Sequence, residues 1–458
     1  MVHFSKIGFI LSLAGSAIGL GNIWKFPYVA GQNGGGIFVI IFILSVIFVL
    51  CSVFLAEMIL GRESSKNPVS TFEMLAPRHK NLWKYSGYMF ISGLLILAFY
   101  SMILGWITYY MFYLLFYIPE NGATAQALFD NFGRYELFWQ IVCHLAIIAI
   151  CGFILVRGIK KGIEQINLIL MPALFIIFIM LFFYVITLDS FPKAVDFMFD
   201  FKWEQVNSGS ILEALGQAFF SMSLGVGTIM AYSAAMPRHI NFVSSSFYIA
   251  TLNTILALIA GLVVFSLLFK EGLSPDAGPN LIFVSLPIVF YQMGWVGHIV
   301  AFIFFLALLF AGVTSAISMA EPAIAYLIER HHLKRPKATF LVITFCFLVG
   351  GITILGQTDY FHSAEYLGGF TVFQWIDLLT STVFMPLSGV IICLFVGFVI
   401  SQNELYGMFS GTIPYWFFRV WLILIRYIAP IVIVVIMLQN FLNKFFEINL
   451  IQIIFSWL

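Results

Sequence analysis

The stretch whose reading decides the fold is residues 15–27, GSAIGLGNIWKFP. It lies inside an apolar run that begins at Lys6 and otherwise has the character of a membrane helix. Gly15, Gly19 and Gly21 lower helix propensity, and Pro27 removes a backbone donor. A backbone amide left unpaired in hydrocarbon costs about 2–7 kcal/mol. Such an interruption therefore persists only where it faces protein or a polar cavity. The carbonyls it frees are ligands for a hard cation such as Na⁺. The helix that restarts beyond it aims free N–H groups and a positive dipole end at an anion. One interrupted helix can hold a cation and a carboxylate side by side.

The surrounding chain sets the context. Of 458 residues, 62% are hydrophobic and 9% charged, against about 25% charged in a soluble domain. This is the composition of an integral membrane protein. The net charge of +1 comes without a basic tail or stripe, which excludes nucleic acid as a partner. Five cysteines, all in apolar segments, make an odd number and no disulfide framework. No cleavable signal is expected, since the first apolar run follows Lys6 directly. The eight histidines are scattered, and no nucleophile, base or metal-ligand cluster marks an enzyme. His144, alone in its span, reads as a packed neutral ring.

Apolar runs of about 20 residues match the thickness of the hydrocarbon core. Eleven helices are expected near residues 6–29, 35–61, 83–118, 137–156, 160–188, 210–236, 241–270, 296–329, 338–357, 371–400 and 414–441. The apolar tail FFEINLIQIIFSWL (445–458) is an interfacial segment, or a twelfth helix if it inserts. With the N-terminus inside, fourteen lysines and arginines of the termini and loops are cytoplasmic. Five (Arg134, Lys193, Lys202, Lys270 and Lys444) are external. That asymmetry predicts a cytoplasmic N-terminus. The loop segment GPNLIFVSLPIVF (278–290) is too short to span and is expected to form a helical lid.

A second interruption occurs in GQAFFSMSLGVGTIMAY (216–232), where Gly225 and Gly227 follow Ser221 and Ser223. The two interrupted segments are the first and sixth, so each opens a series of five. Corresponding breaks in two halves point to a transport site near the bilayer midplane. Glu57, inside the second apolar run, needs a buried partner. Amides freed by the breaks are candidates, and Arg62 near the end of the run is the alternative.

These motifs resemble those of the neurotransmitter:sodium symporter family, whose bacterial members import amino acids. The resemblance rests on GSAIGLGNIWKFPY, GQNGGGIF and GQAFFSMSLGVG and runs from about residue 4 through the tenth span. It implies an all-α polytopic membrane protein of the leucine-transporter fold, with two inverted five-helix repeats and broken helices 1 and 6. The units are 1–188, 189–400, and 401–458 with helix 11 and the tail. Two sodium ions are implied. The first would be held by Ala17, Asn22, Ser221 and Asn253 together with the substrate carboxylate, the second by Gly15, Ile18, Ala311, Thr314 and Ser315.

By the same resemblance, the substrate carboxylate faces the N–H groups of Leu20 and Gly21 and the hydroxyl of Tyr100. The ammonium faces Ala17, Phe220, Ser221 and Ser223, with Ser315 also at the substrate. Ile96, Phe220, Val226 and Met319 line the side-chain pocket. Gly19 stands where monoamine carriers of the family place an aspartate, so the substrate brings its own carboxylate. A valine at 226 and a pliable methionine at 319 leave room for a bulky hydrophobic or aromatic side chain. Lys25 and Asp377 match the outer charged gate, with Phe220 and Gln217 beside them. Lysine lacks the fork that arginine offers a carboxylate, which implies a looser gate.

Three departures stand out. The family's N-terminal arginine has no counterpart, and His3 occupies a tryptophan position. Ala235 replaces an inner-face tyrosine. Phe42 and Ala257 replace the groups that bind chloride or substitute for it, so no chloride site is expected. The expected function is Na⁺-coupled import of neutral, bulky L-amino acids across the plasma (inner) membrane by alternating access. A proton-coupled carrier and a non-transporting amino-acid sensor are the alternatives. The partners are a small amino acid and the lipid bilayer, with a homodimer left open.

Overall fold

The computed structural model describes residues 3–205, 208–273, 280–359, 369–409 and 411–446. The tail from 447 onward, which carries most of the expected twelfth segment, lies outside them. Among the described residues nine helices are long and apolar enough to cross a membrane. They are Gly36–Ser64, Lys80–Phe116, Leu137–Val156, Ile159–Ile186, Phe242–Lys270, Trp295–His331, Arg335–Leu355, Val372–Val399 and Tyr415–Asn443. Two further segments are helix pairs. Lys6–Ala17 and Gly21–Gln32 meet at a 69° bend. Ser208–Ser221 and Thr228–Ala234 are separated by residues 222–227. In chain order these pairs are the first and sixth of eleven segments, the two expected to be interrupted.

The interruptions have local causes. The first helix starts at Ser5, whose Oγ accepts from the Gly8 amide at 3.0 Å. It stops at Ile18, where the backbone turns extended (ψ 95°). Helix resumes through a widened π-type turn, Gly21–Lys25, a form that concentrates at functional sites. In the sixth segment the chain enters left-handed backbone at Gly225 (φ +77°) and Gly227 (φ +80°). Glycine adopts that region without the penalty a Cβ brings. At Gly225 there is also no space, because a methyl would collide with the Met385 carbonyl.

The segments pack in two groups. The third, fourth, eighth and ninth lie against one another. Gly312 of the eighth admits the Leu104 side chain of the third, which would meet any Cβ there. The first, second, sixth and seventh form the other group, with the sixth-span helices against the second. The expected lid is a buried helix, Leu281–Gln292. Its Phe283 packs on Tyr110 (4.9 Å between ring centroids), Phe129 (5.6 Å) and Trp106 (6.0 Å). The cysteines are all buried and free. His144 is fully buried, stacks on Phe347 (5.3 Å) and bonds the Phe347 carbonyl at 3.2 Å, so packing accounts for it.

One buried ion pair joins three spans near the N-terminal side of the bundle. Arg335 Nη1 and Nη2 donate to Glu321 Oε1 and Oε2 at 3.0 and 2.5 Å. Its Nε donates to the Leu155 carbonyl at 2.7 Å. Glu321 is 2% exposed. Removing one partner of such a pair typically costs about 3–5 kcal/mol, because the other charge stays buried alone. Arg335→Met should therefore lower the thermal unfolding midpoint of the detergent-solubilised protein by several degrees. Adding Glu321→Leu should restore most of the loss. Scanning fluorimetry of the single and double variants checks both.

Candidate functional site

The two interruptions meet. Ser223 Oγ, in the break of the sixth span, donates to the Ser16 carbonyl at 2.8 Å. Gln217 Nε2 donates to the Gly21 carbonyl at 3.2 Å. From the third span, Tyr100 presents its hydroxyl oxygen to the Leu20 amide at 3.3 Å. Between these elements lies one cavity. Its lining includes all of the expected substrate residues: Ala17, Leu20, Gly21, Ile96, Tyr100, Phe220, Ser221, Ser223, Val226, Ser315 and Met319. Ser16, Gly19, Asn22, Phe99 and Met385 complete the wall.

The cavity has two chemically distinct ends. Peptide groups of the first-span break, the Tyr100 hydroxyl and the serine hydroxyls form the polar end. Ile96, Phe99, Val226, Met319 and Met385 form the apolar end. A small molecule with a charged head and an apolar side chain fits that division. Tyr100→Phe should remove one hydroxyl at the polar end and leave the Leu20 amide without an acceptor. A hydrogen bond to a charged group contributes about 1.5–3 kcal/mol, so the apparent affinity for a zwitterion should fall at least tenfold. Competition binding with a labelled amino acid measures it.

Two oxygen clusters flank the cavity. In one, Asn22 Nδ2 donates to Asn253 Oδ1 at 2.5 Å, and Asn253 Nδ2 donates to Ser221 Oγ at 2.6 Å. This chain joins the first, seventh and sixth spans, and all three residues are 2% exposed or less. Ala17, expected beside them, also lines the cavity. In the other cluster, Ser315 Oγ lies 3.0 Å from the Gly15 carbonyl, 3.3 Å from that of Ile18 and 3.4 Å from that of Ser16. Thr314 Oγ1 donates to the Ala311 carbonyl at 2.9 Å. The structure thus brings together Gly15, Ile18, Ala311, Thr314 and Ser315, which lie up to 300 positions apart in the chain. Neutral oxygens in this arrangement suit a hard cation.

Glu57 backs the sixth-span break. Its Oε1 accepts the Gly225 amide at 2.8 Å, and the residue is fully buried. The alternative partner is excluded, because the Arg62 guanidinium donates instead to the Arg238 carbonyl at 2.9 Å. At the expected gate, Lys25 Nζ lies 5.7 Å from the centre of the Phe220 ring. Asp377 Oδ1 accepts from Ser381 Oγ at 2.7 Å. Among the described residues no ion pair joins Lys25 to Asp377. At the N-terminal side, the Phe4 amide donates to the Ala235 carbonyl at 3.2 Å, with His3 Nδ1 3.3 Å from the same oxygen. This contact involves His3 and Ala235, two of the positions at which the chain departs from the family's motifs.

Some participants escaped the sequence reading. Ser16 sits in the opening motif itself, and its carbonyl accepts from Ser223 in the sixth-span break and from Ser315 of the eighth span. Met385, in the tenth span, carried no signal. Glu321 did, as a carboxylate in an apolar run.

Residues 2–119 and 122–456 match the model of the sodium:neurotransmitter symporter family. The chain is 37% identical over 449 residues to YhdH, an uncharacterized sodium-dependent transporter of Bacillus subtilis, covering 95% of this chain and 96% of that one. It is 31% identical over 449 residues to an uncharacterized sodium-dependent transporter of Haemophilus influenzae, covering 95% and 97%. The crystal structure of MhsT in complex with L-phenylalanine aligns with a TM-score of 0.86 at 34% identity, over 96% of this chain and 99% of that chain.

Proposed function

Because the chain belongs to the sodium:neurotransmitter symporter family and shares the leucine-transporter fold, we propose that it imports neutral L-amino acids with bulky hydrophobic or aromatic side chains by Na⁺-coupled alternating access. It is a sodium-dependent membrane transporter and not an enzyme. The observation that carries the finer reading is the pairing of the two breaks around one two-ended cavity, with an oxygen cluster on either side of it. Phenylalanine in the aligned MhsT structure supports an aromatic substrate.

In this reading Ala17, Asn22, Ser221 and Asn253 hold a first Na⁺ with the substrate carboxylate. Gly15, Ile18, Ala311, Thr314 and Ser315 hold a second. Cation and substrate then tie the two breaks together from opposite sides. They favour the closed state to the extent that they bind it more tightly than the open ones. The third, fourth, eighth and ninth spans act as scaffold while the first, second, sixth and seventh rock against them, as two inverted repeats. Lys25, Gln217, Phe220 and Asp377 form the outer gate. Chloride is not required, and the N-terminus is cytoplasmic in the plasma (inner) membrane.

The test is uptake of labelled amino acids into proteoliposomes under an imposed Na⁺ gradient, an imposed proton gradient, or neither, with and without chloride. Na⁺-driven accumulation of phenylalanine or leucine, indifferent to chloride, is the expected result. Accumulation driven by protons in the absence of Na⁺ would overturn the coupling. Binding without accumulation under any gradient would leave a sensor.

A further inference from the structure

Arg426 is a cation inside a membrane span. It is the twelfth residue of Tyr415–Asn443, about 16 Å along the helix from Tyr415. A guanidinium within hydrocarbon is costly and calls for a partner. Arg426 is half-buried and lies where two widened π-type turns meet, Phe395–Val399 of the tenth span and Leu424–Ile428 of the eleventh. Such turns concentrate at functional sites. Gly397 makes the close approach possible, since a Cβ there would come within 2.9 Å of Arg426 Cγ. Arg426 Nε donates to the Gly397 carbonyl at 2.5 Å. That carbonyl belongs to the last turn of its helix, where carbonyls are free and a cation is favoured.

Nε is the one nitrogen of this side chain with an acceptor among the described residues. The fork of the two Nη groups, the part of an arginine that matches a phosphate or carboxylate, is left over. Among the described residues no ion pair reaches Arg426. Its other contact is the Phe398 ring, whose centre lies 5.7 Å from Cζ. Phe398 and Tyr427 meet edge to face at 6.1 Å. They and Ile423 are exposed by half or more, at 54%, 53% and 50%. In a membrane span this is a lipid-facing floor with an uncompensated charge at its edge.

The charge lies within reach of the headgroup layer. The span is about 42 Å long against a hydrocarbon core of about 30 Å. Its first turn therefore stands among headgroups, and Arg426 starts about 10 Å deeper. Helix side chains lean toward the N-terminus of their helix, which here is the near surface. An extended arginine stem and a phosphate drawn inward close the remaining gap. Arg419, exposed and two turns nearer that surface, adds attraction for an anion without touching the same group.

We propose that Arg426 binds the phosphate of an anionic phospholipid, with the acyl chains laid on Phe398, Ile423 and Tyr427 beside the seam of the tenth and eleventh spans. Charge and floor together select the occupant. A free inorganic anion gains nothing from an apolar aromatic floor, whereas a phospholipid carries an anion and hydrocarbon in one molecule. A headgroup that bears an ammonium would bring a further cation to a place with no acid to receive it. The site is independent of the cation and substrate assignments above.

The test uses the full chain in a nonionic detergent. The probes are phosphatidylglycerol and phosphatidylcholine with identical acyl chains, and native mass spectrometry counts the lipid retained. Phosphatidylglycerol should bind about tenfold more tightly, the scale of one charge-assisted contact. Arg426→Gln should remove that preference, and Arg426→Lys, a cation without the fork, should retain part of it. Lys80→Gln, at an exposed cation outside the seam, should leave it unchanged. Excess inorganic phosphate should not displace the lipid. Equal affinity for the two lipids, a preference that survives Arg426→Gln, or an equal loss in Lys80→Gln overturns the site. Displacement by inorganic phosphate overturns the lipid as its occupant. A second measurement needs no substitution: photoactivatable phosphatidylglycerol should mark the peptides that hold Phe398 and Tyr427 more strongly than the phosphatidylcholine analogue does. Equal marking there, or marking only elsewhere, sinks the proposal even if the Arg426 variants fail to fold.

Discussion

Asn253→Leu is expected to raise the Na⁺ concentration for half-maximal uptake by about 100-fold or to abolish Na⁺ dependence, on the scale of two buried polar groups losing their partner at about 1–3 kcal/mol each. Asn253 stands in the middle of a three-residue chain. Its Oδ1 takes the Asn22 amide and its Nδ2 serves Ser221. Leucine keeps the approximate volume but strands both neighbours, so the damage reaches the first and sixth spans as well as the seventh. Because the substrate carboxylate completes the same proposed cation site, amino-acid affinity at fixed Na⁺ should fall in parallel. Asn253→Asp retains an oxygen at the position and should lose less. Na⁺ titration of phenylalanine uptake reads all of these effects. An unaltered Na⁺ requirement in the leucine variant would remove Asn253 from the cation site.

Gly225→Ala should abolish transport. Three demands coincide at this residue. Its backbone is left-handed (φ +77°), a Cβ would collide with the Met385 carbonyl, and its amide donates to Glu57 Oε1 at 2.8 Å. The conformational penalty alone is about 1–2 kcal/mol, and the collision adds a shift of the tenth span away from the cavity that Met385 lines. Uptake should drop more than 100-fold, a transition-state difference of about 2.7 kcal/mol or more. Substitutions at Glu57 separate the contributions. Glu57→Gln keeps an acceptor for the Gly225 amide and should retain a good part of the transport. Glu57→Ala leaves that amide bare in the membrane and should behave nearly as badly as Gly225→Ala. If glutamine proves as damaging as alanine, the charge itself matters, and the role of Glu57 is more than holding the break open.

Much of this molecule was legible in one dimension because the relevant physics is local. Apolar run length sets where helices cross, and the eleven expected segments agree with the observed ones to within a few residues at most ends. Glycine and proline content marks where a helix gives way, as at residues 18–20 and 222–227. The residue types suited to a cation, Asn22, Ser221, Asn253, Thr314 and Ser315, were visible as polar positions in apolar runs. Their grouping came from resemblance to a family, since nothing in the spacing of Gly15 and Ser315 says that they touch.

What could not be read from the chain are the encounters between distant segments. The Ser315 hydroxyl among the carbonyls of Gly15, Ser16 and Ile18 is one such encounter. The Glu57 carboxylate on the Gly225 amide is another. The same holds for the Arg335–Glu321 pair, the hold of Phe4 on Ala235 and the Arg426 guanidinium on the Gly397 carbonyl. The reason is physical. A helix or its rupture is dictated by each residue's own backbone and its near neighbours, so it is written in the order of the amino acids. Which carbonyl a hydroxyl reaches across 300 positions depends on how whole helices pack, and that is settled by the summed shape of many side chains in three dimensions.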